Sequence, residues 1–303
     1  MIICVPFLAT HLAQFDKKYV DAGLGVEMSI FKRNDILDPR SWQLIKANAR
    51  HVMSLNPPAA IFHFPVDDCD YQYDRSVRNR LYEVIDLVTD LGMDGLVLHS
   101  NRVATHQVWS QRDLRKEQSQ LSSFLRQLNT RIENADIWIG MENMPLMGND
   151  ALDYDPVLVY PQDAGMISYG KIGLTWDFCH YSYTVEASTR INNGTLNGDG
   201  YPSLLECDFL DFESLTDQIC HFHFSAFRGF ATTSGGRCRE GFAPWAGVVE
   251  ESVYDKGFQL MCQSPHARTV TLEIAESDYV DRSQIWKVID WCRGRIDDES
   301  MQA

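Results

Sequence analysis

Histidine and acidic residues recur at the ends of short apolar segments of this sequence, where they could act together as ligands. One such segment, "ICHFHFSAFRG", alternates His221 and His223 with Phe222 and Phe224. In a β-strand, residues i and i+2 share a face, so the two imidazoles would point one way and the two phenyl rings the other. Five more apolar segments carry a residue of this kind near their end: His63, His99, Glu142, Asp177 and Glu273. Imidazole nitrogens and carboxylate oxygens form a ligand set for a divalent cation.

Two of the carboxylates stand in apolar surroundings, where a charge is costly to bury. Glu142 lies within "GMENMP" and Glu273 within "VTLEIAE". Burying an unpaired charge costs several kcal/mol, and a bound cation would offset this cost. The mixed nitrogen and oxygen ligands suit manganese, zinc, cobalt or magnesium. Taken singly, His63 or His99 could be a hydrogen-bonded core residue and Asp177 could cap a helix. The joint pattern favours a metal site.

Eight short segments rich in apolar and β-branched residues are predicted to form strands, and segments with helical periodicity fill several of the connections. The predicted strands cover residues 2–6, 25–31, 59–65, 95–100, 137–143, 171–178, 220–226 and 269–275. This alternation predicts an α/β fold, a single (β/α)8 TIM barrel, in which catalytic groups sit at the carboxyl ends of the strands. The candidate ligands fall at those ends. A doubly wound sheet is the alternative, but no glycine-rich phosphate turn follows the first strand.

Length, charge and cysteine content set further limits. The 303 residues show no break in composition, so we expect one domain over 1–303 with a long loop insertion around 181–215. The net charge of −15, from 42 acidic against 27 basic residues, argues against nucleic acid as a partner. Eight cysteines without a CxxC pair indicate reduced thiols and a cytoplasmic protein. No segment approaches the roughly 18 apolar residues of a membrane span, and we interpret "MIICVPFLAT" as a strand.

With these strand ends, the sequence resembles the xylose isomerase-like TIM-barrel superfamily, which contains sugar isomerases and epimerases, inosose dehydratases and endonuclease IV. The resemblance to its ketose 3-epimerase branch implies that the metal is held by four residues: Glu142, Asp177, His223 and Glu273. It also implies that Glu142 and Glu273 are catalytic, and that they exchange protons with opposite faces of the substrate.

The same resemblance assigns residues around the metal. His180, in "DFCH", would bind a substrate hydroxyl, and Arg228, shortly after "HFH", would bind a substrate oxygen. His221 would lie one layer deeper in the barrel than His223 and would support the metal ligands from below. Glu27, in "GVEMSI", ends the second strand near the same rim, where it could anchor the floor of the pocket or bind substrate, and we keep it outside the catalytic set.

The endonuclease IV branch offers a second interpretation of the histidines. That branch binds three zinc ions, and His63, His99 and His180 match three of its additional ligands. It also uses an Asp-x-His pair after the seventh strand, where this sequence has "SGGRCREGFAPWAG" and no such pair. Together with the acidic net charge, this departure ranks a phosphodiesterase acting on abasic DNA second.

The resemblance therefore implies a metal-dependent isomerase or epimerase that acts on a sugar or a sugar phosphate through an enediolate. Arg237 and Arg239, in "TTSGGRCR", could bind a phosphate or simply neutralise an acidic surface. A related dehydratase of polyols or keto acids and a non-catalytic sugar-binding protein are the remaining alternatives. Barrels of this kind often self-associate, so we allow for a homo-oligomer, although no self-complementary apolar patch stands out.

Overall fold

Eight parallel β-strands close into a barrel in the computed structural model, which describes residues 1–147, 153–202 and 204–300. In chain order the strands are β1 Ile2–Leu8, β2 Gly25–Ser29, β3 Ala60–His63, β4 Gly95–Leu98, β5 Trp138–Glu142, β6 Ile172–Asp177, β7 Ile219–Phe224 and β8 Thr269–Leu272. Each strand pairs with the next along the chain, and β8 pairs with β1. The predicted (β/α)8 barrel is confirmed.

Helices occupy the connections between the strands. The α-helices cover Lys17–Asp21, Arg33–Leu37, Pro39–Ser54, Arg75–Leu91, His106–Trp109, Leu114–Arg131, Pro161–Ala164, Phe178–Asn192, Glu251–Cys262 and Gln284–Ser300. Short 3₁₀ helices cover Leu12–Gln14, Asp211–Gln218 and Pro244–Ala246. Two small antiparallel ladders outside the barrel pair Ala226–Arg228 with Arg239–Phe242, and Ala104–Thr105 with Asp153–Tyr154. Within the described part of the chain, no helix combines the length and the hydropathy that a membrane span requires.

The helix Arg75–Leu91 illustrates why the sequence pattern and the structure agree. The Asp74 carboxylate accepts hydrogen bonds from the backbone amides of Ser76 and Val77, and so caps the first turn. The helix ends at Gly92, whose φ of 66° lies in the left-handed region that glycine adopts without strain. A glycine at this place is a typical stop signal for a helix, and the helix ends there.

The segment 181–215 departs from the prediction of one long loop. Its first part belongs to the helix Phe178–Asn192, and the stretch between this helix and the 3₁₀ helix at Asp211–Gln218 is irregular where the structure describes it. The first eleven residues of the helix are almost all buried, with Tyr181 and Tyr183 fully enclosed. A helix that is buried on most sides shows no amphipathic period, so its sequence did not predict it.

The strand β7 follows the alternation that the sequence predicted. His221 and His223 lie in the barrel interior and are fully buried. On the opposite face, the ring of Phe222 lies 6.1 Å from that of Trp176, and the ring of Phe224 lies 5.8 Å from that of Trp291 in the last helix. The phenyl rings thus attach the strand to the outer layers, while the imidazoles are left for the interior.

Candidate metal centre

The candidate ligands arrive at one rim of the barrel because they sit at the carboxyl ends of different strands. His63, Glu142 and Asp177 are the last residues of β3, β5 and β6. His99 and Glu273 directly follow β4 and β8, and His223 is the fifth of the six residues of β7. Parallel strands in a closed barrel bring these ends together irrespective of their separation in sequence.

Three of the four predicted ligands form one tight cluster. Glu142, Asp177 and His223 each offer a ligand atom, and these atoms lie within 4.8 Å of one another. His223 Nδ1 lies 3.3 Å from Glu142 Oε2 and 3.8 Å from Asp177 Oδ2. Glu273, the fourth, places Oε1 3.6 Å from the same nitrogen. The first three are at most 1% exposed, whereas 35% of the Glu273 side chain is exposed, so the cluster opens to solvent on the Glu273 side.

The cluster fits a divalent cation. His223 Nδ1 and Asp177 Oδ2 are both buried, and neither has a hydrogen-bond partner among the described residues. Buried polar atoms are nearly always partnered, so two such atoms that face a common point call for an explanation. A cation between them would use both, and the set of one imidazole nitrogen with carboxylate oxygens suits zinc, manganese, cobalt or magnesium.

Asp177 caps the following helix with one carboxylate oxygen and turns the other toward the cluster. Its Oδ1 accepts a hydrogen bond of 2.8 Å from the backbone amide of His180, which caps the helix Phe178–Asn192, while Oδ2 faces the cluster. Asn143 fixes the strand end, because its side chain donates to the Asp177 carbonyl at 3.0 Å and accepts from the Asp177 amide at 2.8 Å. The capping role and the ligand role that the sequence allowed for Asp177 are thus compatible.

A second group of potential ligands shares Glu142. His99 Nε2 and His63 Nε2 lie 2.9 Å and 3.1 Å from Glu142 Oε2, and the three residues form another set whose ligand atoms lie within 4.8 Å. His63 Nδ1 donates to the carbonyl of Phe64 at 2.9 Å, because a carbonyl can only accept. When the ring is neutral, Nε2 therefore carries a lone pair that points toward Glu142 Oε2. A cation between these two atoms could bind both of them.

His180 lies beside the cluster and contacts a residue that the sequence did not single out. Its Nδ1 donates to the carbonyl of Asn143 at 2.8 Å and lies 3.3 Å from Glu142 Oε1. Its Nε2 lies 3.6 Å from Glu240 Oε2, on the short ladder that follows β7. The sequence around Glu240 is typical of a loop, and a single glutamate in a loop gives no periodic pattern from which its position could be predicted.

The charges within the cluster shift its protonation equilibria in opposite directions. Burial raises the pKa of Glu142, but the charges of His99 and His223 and the contact with His63 outweigh it and hold that pKa well below its usual value. Burial, helped by the charge of Glu142, raises the pKa of Asp177 to about 6 and that of Glu273 to about 8. Burial lowers the pKa of His223, yet the surrounding carboxylates raise it well above its usual value.

Beneath the cluster, His221 and Glu27 form a fully buried polar layer. Glu27 Oε2 accepts from His221 Nε2 at 3.0 Å, from His223 Nε2 at 3.2 Å and from Thr271 Oγ1 at 2.7 Å. The His221 ring is T-shaped against that of His223 with centroids 5.1 Å apart, so the two histidines are linked mainly through Glu27. The sequence allowed Glu27 to anchor the floor of the pocket or to bind substrate, and the structure places it in the layer beneath the cluster, where it contacts both histidines.

Arg228 does not join the cluster. Its side chain is exposed, its Nε donates to the carbonyl of Ala246, and its guanidinium lies 4.6 Å from the centroid of the Phe242 ring. These contacts hold Arg228 on the outer ladder rather than over the metal ligands.

Comparison with known proteins supports the fold. No protein-family model and no curated protein sequence matches the chain. Among solved structures, a D-tagatose 3-epimerase-like protein is 15% identical with a TM-score of 0.59, and the match covers 99% of this chain and 100% of that one. The IolI protein with a bound zinc atom is 13% identical, with a TM-score of 0.62 and coverage of 98% and 99%. Endonuclease IV from Thermus thermophilus is 12% identical, with a TM-score of 0.56 and coverage of 97% and 100%. The chain has the fold of the xylose isomerase-like TIM barrels.

Proposed function

We propose that the protein is a metal-dependent isomerase or epimerase that acts on a sugar or a sugar phosphate through an enediolate. The observation that carries this proposal is the convergence of Glu142, Asp177, His223 and Glu273 at the open rim of the barrel, with two unpartnered ligand atoms at its centre. A D-tagatose 3-epimerase-like protein and a 3-keto-D-glucoside 4-epimerase are among the solved structures with this fold. That likeness supports a small-molecule sugar as the partner.

The chain supplies a suitable acid–base residue. A divalent cation at the centre would bind the carbonyl and hydroxyl oxygens of the substrate and stabilise the negative charge of the enediolate. Glu273 is the partly exposed carboxylate of the cluster, so a substrate that enters from the open side would contact it, and an acid–base residue must lie within reach of the proton that it moves. We therefore assign to Glu273 the removal or return of the proton on carbon.

Glu142 has a different protonation equilibrium. Three imidazoles surround it and hold its pKa low, so it remains a carboxylate and a ligand over the neutral range. Isomerisation on one face of an enediolate needs only Glu273, whereas epimerisation needs Glu142 as the base on the opposite face. His180, with Nε2 directed to Glu240, would bind a substrate hydroxyl. Arg228 stays a proposed substrate contact, and it would have to leave the Phe242 ring to make one.

One observation favours a second candidate, a phosphodiesterase of the endonuclease IV kind. Glu142 belongs to both ligand groups, one with Asp177 and His223 and the other with His63 and His99. A carboxylate shared by two groups is suited to bridging two cations, and paired cations stabilise the attacking and leaving oxygens of a phosphodiester. The net charge of −15 weighs against DNA as the substrate, which is why this candidate stays second.

The first test is the metal content per chain, measured by elemental mass spectrometry on protein purified without chelator or added metal. About one metal ion per chain, with turnover in a panel of ketoses and ketose phosphates, would support the isomerase or epimerase. Glu273→Gln should then lose about 10² to 10⁴ in rate while it still binds substrate.

A matched control separates the two candidates. The double variant His63→Gln with His99→Gln removes the second ligand group and leaves the first intact. In the proposed function it keeps one metal and its sugar turnover. The phosphodiesterase would instead be established by two or more metals per chain together with cleavage of abasic DNA. The double variant should then lose both the additional metal and the cleavage activity.

A further inference from the structure

Glu27 is a buried carboxylate that the proposed reaction does not use. It lies in the middle of β2, in register with Pro6 of β1 and Ile61 of β3, and it is 0% exposed. Its side chain passes β1 within the barrel and reaches Thr271 of β8 and two histidines of β7. A buried carboxylate is costly unless several donors satisfy it, so this one requires a structural or functional reason.

The hydrogen bonds around Glu27 fix the protons of the layer. A carboxylate can only accept, so Thr271 Oγ1, His221 Nε2 and His223 Nε2, all within 3.2 Å of Oε2, each donate to it. His221 Nδ1 is then free to accept from Thr269 Oγ1 at 2.7 Å. Every donor in this chain of contacts has an acceptor.

With Nε2 of His223 bound to Glu27, only Nδ1 of this histidine can bind a cation in the cluster above. A neutral imidazole carries one proton, and Glu27 holds that proton on Nε2. When the ring releases its second proton to a binding cation, Nδ1 therefore carries the lone pair, and it is the nitrogen that faces Glu142, Asp177 and Glu273 without a hydrogen-bond partner. A ligating histidine whose second nitrogen donates to a carboxylate is held in the correct tautomer and binds its metal more strongly.

We propose that Glu27 is the positioning residue of the metal centre: by accepting the Nε2 proton of His223, it presents Nδ1 of that histidine to the cation. The inference rests on the metal centre proposed above. It extends that proposal to a residue that touches neither cation nor substrate and acts through His223.

The test is the affinity of metal-free protein for Co²⁺, whose visible absorption also reports the coordination geometry. Glu27→Gln keeps the volume and an acceptor but removes the charge, and Glu27→Leu removes the acceptor as well. Both variants should bind Co²⁺ about 10 to 100 times more weakly than the unaltered protein and give an altered absorption spectrum. Should the leucine variant fail to fold, the glutamine variant decides.

Thr271→Val is the matched control. It removes a donor to the same oxygen of Glu27 from an equally buried position, but it leaves the contact between Glu27 and His223 in place. It should lower the thermal stability and keep Co²⁺ affinity within about threefold of the unaltered protein. Glu27→Gln binding Co²⁺ as tightly as Thr271→Val, with an unchanged spectrum, would overturn the inference. Failure of the unaltered protein to bind Co²⁺ or other divalent metals would overturn the metal centre itself.

Discussion

Metal binding should displace about two protons at neutral pH, because the metal-free cluster holds protons on the very atoms that a cation needs. A Glu273 pKa of about 8 leaves that carboxyl about 90% protonated at pH 7 and about a quarter protonated at pH 8.5. The raised pKa of His223 keeps its ring protonated at pH 7 as well. Metal ligands must be deprotonated, so Glu273 contributes about 0.9 proton and His223 about one.

The assay is isothermal titration calorimetry of metal-free protein with Mn²⁺ at pH 7.0 and pH 8.5, each in buffers of different ionisation enthalpy. The dependence of the measured heat on the buffer gives the number of protons released. We expect about two protons at pH 7.0, fewer at pH 8.5, and a corresponding rise of affinity with pH. Glu273→Gln cannot hold the carboxyl proton and should release about one proton fewer at pH 7.0. Equal proton release by the variant and the unaltered protein would refute the assigned protonation.

The same shifts set the pH dependence of stability in the metal-free protein. The pKa of Glu273 is raised on folding, and so are those of His180 and His223, so the folded state binds more protons than the unfolded chain. Their contributions are present at low pH and are lost as the pH rises through the folded values. His99 and His221 have lowered pKa values, and their opposite effect is complete once the pH exceeds about 7. The free energy of unfolding, measured by urea denaturation, should therefore fall from pH 7 to pH 8.5, and saturating metal should suppress this fall.

Four further substitutions test separate parts of the structure. His223→Ala should abolish metal binding. His221→Ala should still bind metal, more weakly, and should lose about 1–3 kcal/mol of stability because Glu27 loses a hydrogen-bond donor. Metal analysis and urea denaturation distinguish the two variants, and equal metal retention in both would contradict the assignment. Phe222→Ala should cost about 3–5 kcal/mol in urea denaturation with metal affinity unchanged, since its ring packs on the outer face of β7. Gly95→Ala should cost about 1–3 kcal/mol in the same assay, because the added methyl would meet the Trp138 ring at 2.2 Å; a stability equal to that of the unaltered protein would place that ring elsewhere.

The candidate ligands at the strand ends were predictable because the signals are local. The alternation in "ICHFHF" places His221 and His223 on one face whatever the rest of the chain does. An acidic residue such as Glu142 within an apolar run predicts a buried charge that needs a partner. Eight such runs separated by helical segments leave few architectures other than the barrel, and a barrel collects the carboxyl ends of its strands at one rim.

Helix signals were less complete for an equally physical reason. The helix Arg75–Leu91 has one buried face and one exposed face, and its cap residues, Asp74 and Gly92, mark both ends. The helix Phe178–Asn192 is enclosed over most of its length, so it has no polar face to give a period of 3.6 residues. The sequence pattern therefore indicated the helix Arg75–Leu91, whereas much of the helix Phe178–Asn192 was predicted as part of a loop.

What the sequence alone determined about this protein is the set of side chains available to the centre, since strand periodicity decides which residues face the interior. Only the tertiary structure decided how they are shared: His63 and His99 converge on one oxygen of Glu142, although they lie 79 and 43 residues from it, and Glu27 reaches His223 across 196 residues. These contacts depend on the closure and register of the barrel, which no local pattern encodes. Those distances, and not the residue types, also bring Glu142 within reach of two groups of potential ligands.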